Sequence, residues 1–229
     1  MKKLIVIEGT DGSGKKTQAD LLRKNLAENG YSVIEQSFPN YESQSSGPVK
    51  MYLGGQLCER ADDFDAYQSS VLFGVDRLCT MQKYKNDKSD IGVFDRYVQS
   101  NVIHQGSKIE SKIELEKYIK WLYNLEFGFL KLQKPDMVIF LNMPPEKSIE
   151  LAAARGELKS GQSKDIHEQD SAHLIRAYNT GMWIAKKLKW EIIDCLNEKG
   201  EIKTREEIQS EVLEKAKSLL PEKVNEKLM

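Results

Sequence analysis

The sequence predicts an α/β fold built on a parallel sheet, and three observations predict it. Short apolar runs recur at 4–7, 31–34, 91–94, 137–141 and 191–193. The longer stretches between them carry apolar residues at helical spacing. The runs at 4–7 and 137–141 also lack polar alternation, which suits strands buried on both faces. Parallel strands need crossover connections, and helices supply them.

In chain order, strand 4–7 runs into a glycine-rich turn and a helix over 15–29, which Gly30 ends. After strand 31–34, residues 40–55 carry Ser43, Ser45, Ser46, Gly47 and Pro48. That composition predicts a loop and a short helix over one edge of a site. Helical spacing then covers 64–86, strand 91–94 follows, and a second helical stretch covers 112–132 before strand 137–141. Helices over 146–155 and 166–189 flank residues 155–165, where Gly156, Lys159, Gly161 and Lys164 have the composition of a lid. Strand 191–193 precedes a last helix over about 205–219. Thr204 and Glu207 fit a capping box there, and Ile208, Val212, Ala216 and Leu219 share a face that should pack on the sheet. Residues 1–220 read as one domain, and the polar tail 221–229 should fray.

The balance of 34 Lys+Arg against 35 Asp+Glu, in 229 residues, gives no basic field for nucleic acid. Lys2 and Lys3 precede only four apolar residues, too few for a signal peptide, and no run is long enough to span a membrane. A cytoplasmic protein is expected. Cys58, Cys79 and Cys195 form no CxxC pair, so neither a disulfide framework nor a zinc site is expected.

Chemistry concentrates at Gly9-Thr10-Asp11-Gly12-Ser13-Gly14-Lys15-Lys16-Thr17, between the first strand and first helix. Strand, glycine loop and helix are the context of a phosphate-binding loop. Backbone N–H groups curl toward phosphate oxygens, the helix N-terminus adds its dipole, and Lys15 reaches the β and γ phosphates of the donor. Lys16 stands where the full pattern has the hydroxyl that ligates magnesium. Thr17 is rotated by about 100° along the helix, whereas Asp11 is a carboxylate within the loop itself.

Phosphoryl transfer also needs cations on the acceptor side. Asp95-Arg96-Tyr97 follows the third strand, at the sheet edge where ligands of open α/β folds bind; a structural ion pair is the other reading. Phe73 and Arg77 share a helix face and suit base stacking with an edge hydrogen bond, or else a core ring and a surface cation. Arg155 opens the lid stretch, where it reads either as a mobile cation or as a helix-terminal charge. Lys159, Lys164, His167 and His173 read as solvated or packing residues, and the histidines form no metal cluster.

Glu8 through Gln18, Phe38-Pro39-Asn40-Tyr41, the Phe73/Arg77 pair, Asp95 through Asn101 with Gln105-Gly106, and Ala154-Arg155-Gly156-Glu157 together resemble the thymidylate kinases, over roughly 2–195. The resemblance implies a P-loop NTPase-type three-layer α/β/α fold with a five-stranded parallel sheet and a short lid. It implies transfer of the γ-phosphate of ATP to dTMP with Mg²⁺, by a homodimer. Carried over, Lys15 and the loop residues Gly9, Thr10, Asp11, Gly12, Ser13, Gly14, Lys16 and Thr17 would bind ATP. Asp11, Arg96, Phe38, Pro39 and Tyr41 would meet the dTMP phosphate; Phe73, Arg77, Ser100, Asn101 and Gln105 would meet its nucleoside. Lys15, Asp11, Arg96 and Arg155 would be catalytic, with Asp11 and Glu168 serving the metal. The chain departs from the family at Lys16, at Gly12, in a lid whose only arginine is Arg155, at His104 where a tyrosine beside the sugar is usual, and at Asn40. Two rival readings are a nucleotide or deoxynucleoside kinase with another acceptor, and a P-loop switch that binds without transferring phosphate.

Overall fold

Five parallel strands lie in the order β2-β3-β1-β4-β5: β1 (Lys3–Glu8), β2 (Val33–Ser37), β3 (Ile91–Asp95), β4 (Met137–Asn142) and β5 (Glu191–Asp194). The structure is a computed structural model and describes residues 1–58, 60, 63–154 and 171–220. The lid stretch with Arg155, Glu168 and the tail 221–229 lie outside the described residues.

Side chains alternate across the sheet, so consecutive residues of β1 build different layers. Leu4 and Val6 join Phe94, Val98, Val102, Tyr118 and Leu122 in one core. Ile5 and Ile7 join Leu22, Leu26, Val93, Ile139, Ile208 and Val212 in the other. The first core lies under α3 (Ala66–Met81), α4 (Val98–His104) and α5 (Lys112–Tyr123), and the second under α1 (Lys15–Glu28) and α8 (Arg205–Ser218). The remaining helices are α2 (Gly47–Leu53), α6 (Pro145–Ala154) and α7 (Ser171–Lys187).

Four elements differ from the sequence expectation. β2 occupies Val33–Ser37 rather than 31–34, because it is an edge strand that pairs only with β3 and tolerates polar Glu35, Gln36 and Ser37. The expected helix 64–86 begins two residues later, at a capping box in which Asp65 and Gln68 satisfy each other's backbone N–H groups. It ends in a separate 3₁₀ turn, Gln82–Tyr84. The expected helix 112–132 is α-helical only to Tyr123 and continues as a π-helical turn over Asn124–Phe129. Helix α4 was not expected at all. The capping box of α8 forms between Thr204 and Glu207 as read, and its face buries Ile208, Val212 and Ala216.

Candidate active site

β1 is buried through Glu8, and its chain then turns at Gly9 with φ 153°. A Cβ there would meet Ser13 Oγ at 2.5 Å, so the turn requires glycine. Gly14, at φ 89°, is the N-cap of α1; it supplies no side-chain cap, and the first turn holds no acidic residue. The helix therefore presents its first N–H groups and its dipole to an anion. Lys15 is 6% exposed and donates from Nζ to the Thr10 carbonyl at 2.8 Å. Burial, with the Arg96 charge nearby, pulls its ammonium down to about 8, against Asp11, Asp95 and Glu8, which raise it. Lys16 leaves the site altogether: its Nζ pairs with Asp20 at 3.2 Å on the solvent face of α1.

Beside this loop, β1 pairs with β3 so that Ile7 stands opposite Asp95. The next residue, Arg96, takes a left-handed backbone with φ 66°, and its N–H donates to the Ile7 carbonyl at 3.1 Å. For a non-glycine residue this conformation costs about 1–3 kcal/mol, and such strain clusters at functional sites. The guanidinium of Arg96 forms an ion pair with Asp11 through NH2 and lies 3.0 Å from His104 Nε2 through NH1. An arginine only donates, so the imidazole nitrogen accepts. Burial would raise the Asp11 carboxyl, but the charges of Arg96 and Lys15 outweigh it and hold the group well below the usual carboxylate range. Burial works against the Arg96 charge, while Asp11, Asp95 and Glu8 raise its pKa and keep it protonated.

Glu8 completes the junction. Fully buried, it accepts the Tyr97 N–H at 3.0 Å and the Ser100 hydroxyl at 2.8 Å, tying the end of β1 to the start of α4. Burial pushes its carboxyl up to about 7, although Arg96, Ser100 and Tyr97 all favour the charged form.

On the other side stands α3. Phe73 is half-buried, its ring edge-on to Tyr52 at 6.2 Å, and Arg77 is only 2% exposed. The reading of Arg77 as a surface cation is thereby overturned: Glu126 and Asn101 compensate its charge inside the protein. Asp76, also buried, accepts the Asn40 N–H and the Ser45 hydroxyl, each at 2.8 Å, and so pins the chain after β2 against α3.

Asp11, Arg96, His104, Phe73, Asp76 and Arg77 line one cavity of about 260 Å³, between the phosphate loop, the turn after β2, α3 and α4. A family model described as thymidylate kinase matches residues 7–208. The chain belongs to the thymidylate kinase family. Among its relatives, a probable thymidylate kinase 1 of Saccharolobus solfataricus is 31% identical over 206 residues, covering 88% of this chain and 93% of that one. The thymidylate kinase of Mycobacterium tuberculosis is 29% identical over 171 residues, 73% of this chain and 78% of that one. A solved thymidylate kinase from Candida albicans superposes with a TM-score of 0.67 at 20% identity, covering 95% of this chain and 92% of that one, a likeness of fold.

Every residue that the thymidylate kinase resemblance assigns to the acceptor lines this cavity. Asp11, Phe38, Pro39, Tyr41 and Arg96 are there with Phe73, Arg77, Ser100, Asn101 and Gln105. So is His104, the residue standing in for a tyrosine. Ser37, Leu53 and Asp76 line it as well, without having been singled out, as does Tyr97 of the Asp95-Arg96-Tyr97 segment. Asp76 carried a usable signal, because it lies between Phe73 and Arg77 on α3. Residues 9–14 form the adjoining loop and 15–17 the first turn of α1, with the Lys16 side chain facing outward. Arg155 and Glu168 lie outside the described residues.

Proposed function

We propose that the chain transfers the γ-phosphate of ATP to the 5′-phosphate of dTMP, giving dTDP. One observation carries this reading: the Arg96 guanidinium, clamped by Asp11 of the donor loop and by His104, lines the same cavity as Phe73 and Arg77. A cation held at the border of a phosphate loop and an aromatic-lined pocket suits an acceptor that has a base at one end and a phosphate at the other.

In this reading the loop N–H groups and Lys15 hold the donor phosphates. Arg96 grips the acceptor phosphate, Phe73 stacks on thymine, and Arg77 donates to a thymine carbonyl. Catalysis is positioning and charge neutralisation in an in-line displacement. Arg96 needs little reorganisation, because its backbone and both guanidinium arms are already fixed. By resemblance, Arg155 would bring a further cation over the transferring group.

Magnesium belongs to the same proposal, and the residues present fit it. Among the described residues Asp95 Oδ1 is buried with no hydrogen-bond partner, a carboxylate oxygen whose charge acts on Lys15 and Arg96. Among the described residues no group of three or more His, Cys, Asp or Glu gathers. That suits an ion held by one or two carboxylates, phosphates and water. Asp95, with Asp11 and by resemblance Glu168, would hold it; when bound, it supplies neutralisation of the phosphate oxygens.

We extend the proposal to a cytoplasmic homodimer. Val71 and Val75 are exposed one turn apart on α3, an apolar stripe that a second copy would cover. Light scattering should give twice the chain mass. Among the described residues, no helix is long and apolar enough to cross a membrane.

The deciding test is ATP-dependent ADP release with magnesium, using dTMP, dUMP, UMP, CMP and thymidine as parallel acceptors. Strong turnover with dTMP is expected. Turnover with thymidine but not dTMP would replace this reading with a deoxynucleoside kinase, and nucleotide binding without acceptor-dependent release would replace it with a switch.

A further inference from the structure

Glu126 lies on the π-helical turn after α5, is fully buried, and has no place in the reaction as described so far. Both its oxygens face one guanidinium: Arg77 Nε donates to Oε2 at 3.2 Å and NH2 donates to Oε1 at 2.5 Å. Arg77 NH1 reaches Asn101 Oδ1 at 2.9 Å and the Tyr97 carbonyl at 3.4 Å. Gly74 faces the pair across the interface, where a Cβ would lie 3.1 Å from Glu126 Oε1, a tight contact.

We infer that Glu126 is a positioning residue for base recognition, fixing the plane of Arg77 so that a single N–H remains to read a carbonyl of the acceptor base. A guanidinium has five N–H donors in a rigid fork. Glu126 takes two of them, and Asn101 with the Tyr97 carbonyl engages NH1. Among the described residues, the second N–H of NH2 has no acceptor. Arg77 lines the cavity, as does Asn101, whose Nδ2 is buried and, among the described residues, has no partner. The site therefore presents donors to the ligand, and a 4-amino group on the base would meet a donor with a donor. The consequence is selection for a 4-keto over a 4-amino pyrimidine. It depends on Glu126, because an unfixed guanidinium could swing away from a 4-amino group and donate to the ring N3 acceptor of that base instead. This inference rests on the kinase reading above.

The test compares dUMP with dCMP, which differ at the 4-position, alongside dTMP, in the unaltered protein and in Glu126→Gln. The amide keeps the shape but offers one acceptor in place of two. The expected result is a KM for dTMP raised by about ten- to a hundredfold, a dUMP-over-dCMP preference reduced by a similar factor, and an unchanged KM for ATP. Adding Glu126→Gln to Arg77→Lys should then change the preference no further. An unchanged preference in folded Glu126→Gln, or an equal loss toward both bases and ATP, would overturn the inference.

A measurement on the unaltered protein covers a variant that fails to fold. The Arg77 Nε–H should be protected from solvent exchange before any nucleotide is added. Exchange as fast as that of exposed arginines, slowing only with dTMP, would show that the ligand orders Arg77 and would equally overturn the inference. This arm is independent of turnover, so failure of the kinase reading is seen separately, as absence of ADP release with every acceptor.

Discussion

Arg96 and His104 meet at 3.0 Å in the wall of the cavity, and the donating role of the guanidinium makes the imidazole the acceptor. That contact holds one arm of the guanidinium, so His104→Ala should raise the KM for dTMP by about tenfold with the KM for ATP unchanged, the usual worth of a hydrogen bond to a charged group. His104→Gln, whose amide oxygen accepts the same bond, should recover most of the loss. Steady-state kinetics on both variants check this, and a KM for dTMP unchanged in His104→Ala would count against the assigned role.

Replacing Arg96 by alanine should lower turnover by about 10²–10³-fold while changing ATP affinity little, if the charge has the acceptor role proposed for it. Steady-state kinetics together with a direct ATP-binding isotherm separate the two effects. An equal loss of ATP affinity would move Arg96 to the donor side.

Lys15 gives up its proton at about 8 in the free protein, against an ordinary value of 10.5. The phosphates of ATP favour the charged ammonium, so binding at pH 8 should take up about half a proton, and more at pH 9. Titration calorimetry in two buffers of different ionisation enthalpy reads this directly. The sign for stability follows: the folded state binds fewer protons than the unfolded state between about 8 and 10.5, so this residue's contribution improves as pH rises through that window.

Glu8 has the opposite consequence. Its buried carboxyl keeps its proton to about 7, whereas the unfolded chain loses it near 4.5. The folded state therefore binds more protons in that window, and stability falls as pH rises across it, by at most about 3 kcal/mol. Chemical denaturation of Glu8→Gln at pH 5 and pH 8 should show a flatter dependence, with a gain over the unaltered protein at the higher pH.

Phe73→Ala should raise the KM for dTMP by the equivalent of about 1–3 kcal/mol, the usual worth of one stacked base, with little change in kcat. If KM stays the same while the melting temperature drops, Phe73 serves the cluster around Tyr52 instead.

The sheet was legible because buried parallel strands are written as unbroken apolar runs, and the phosphate loop because its glycines are required by backbone geometry at Gly9, Gly12 and Gly14. The edge strand β2 was misplaced since its exposed face lets Glu35 and Ser37 enter it. Helix α4 escaped notice because seven residues give barely two turns of periodicity, and they begin three residues after a strand. Glu126 was illegible for a different reason. A π-helical turn breaks the 3.6-residue period, so nothing in the spacing of residues 112–132 marks that carboxylate as inward-facing. The Phe73/Arg77 pair was legible as a pair, but its burial was set by a partner 49 residues away in the chain.

The register of β1 against β3 sets Ile7 opposite Asp95, and the two reacting ends of the enzyme leave from those neighbouring strands. The gap between the phosphate loop and Arg96 is thus a ruler whose graduations are main-chain hydrogen bonds, about 4.8 Å from strand to strand. Such a ruler does not depend on the bulk of any one core side chain. Repacking beneath the sheet should alter how long the enzyme survives heating well before it alters the distance over which phosphate is handed across.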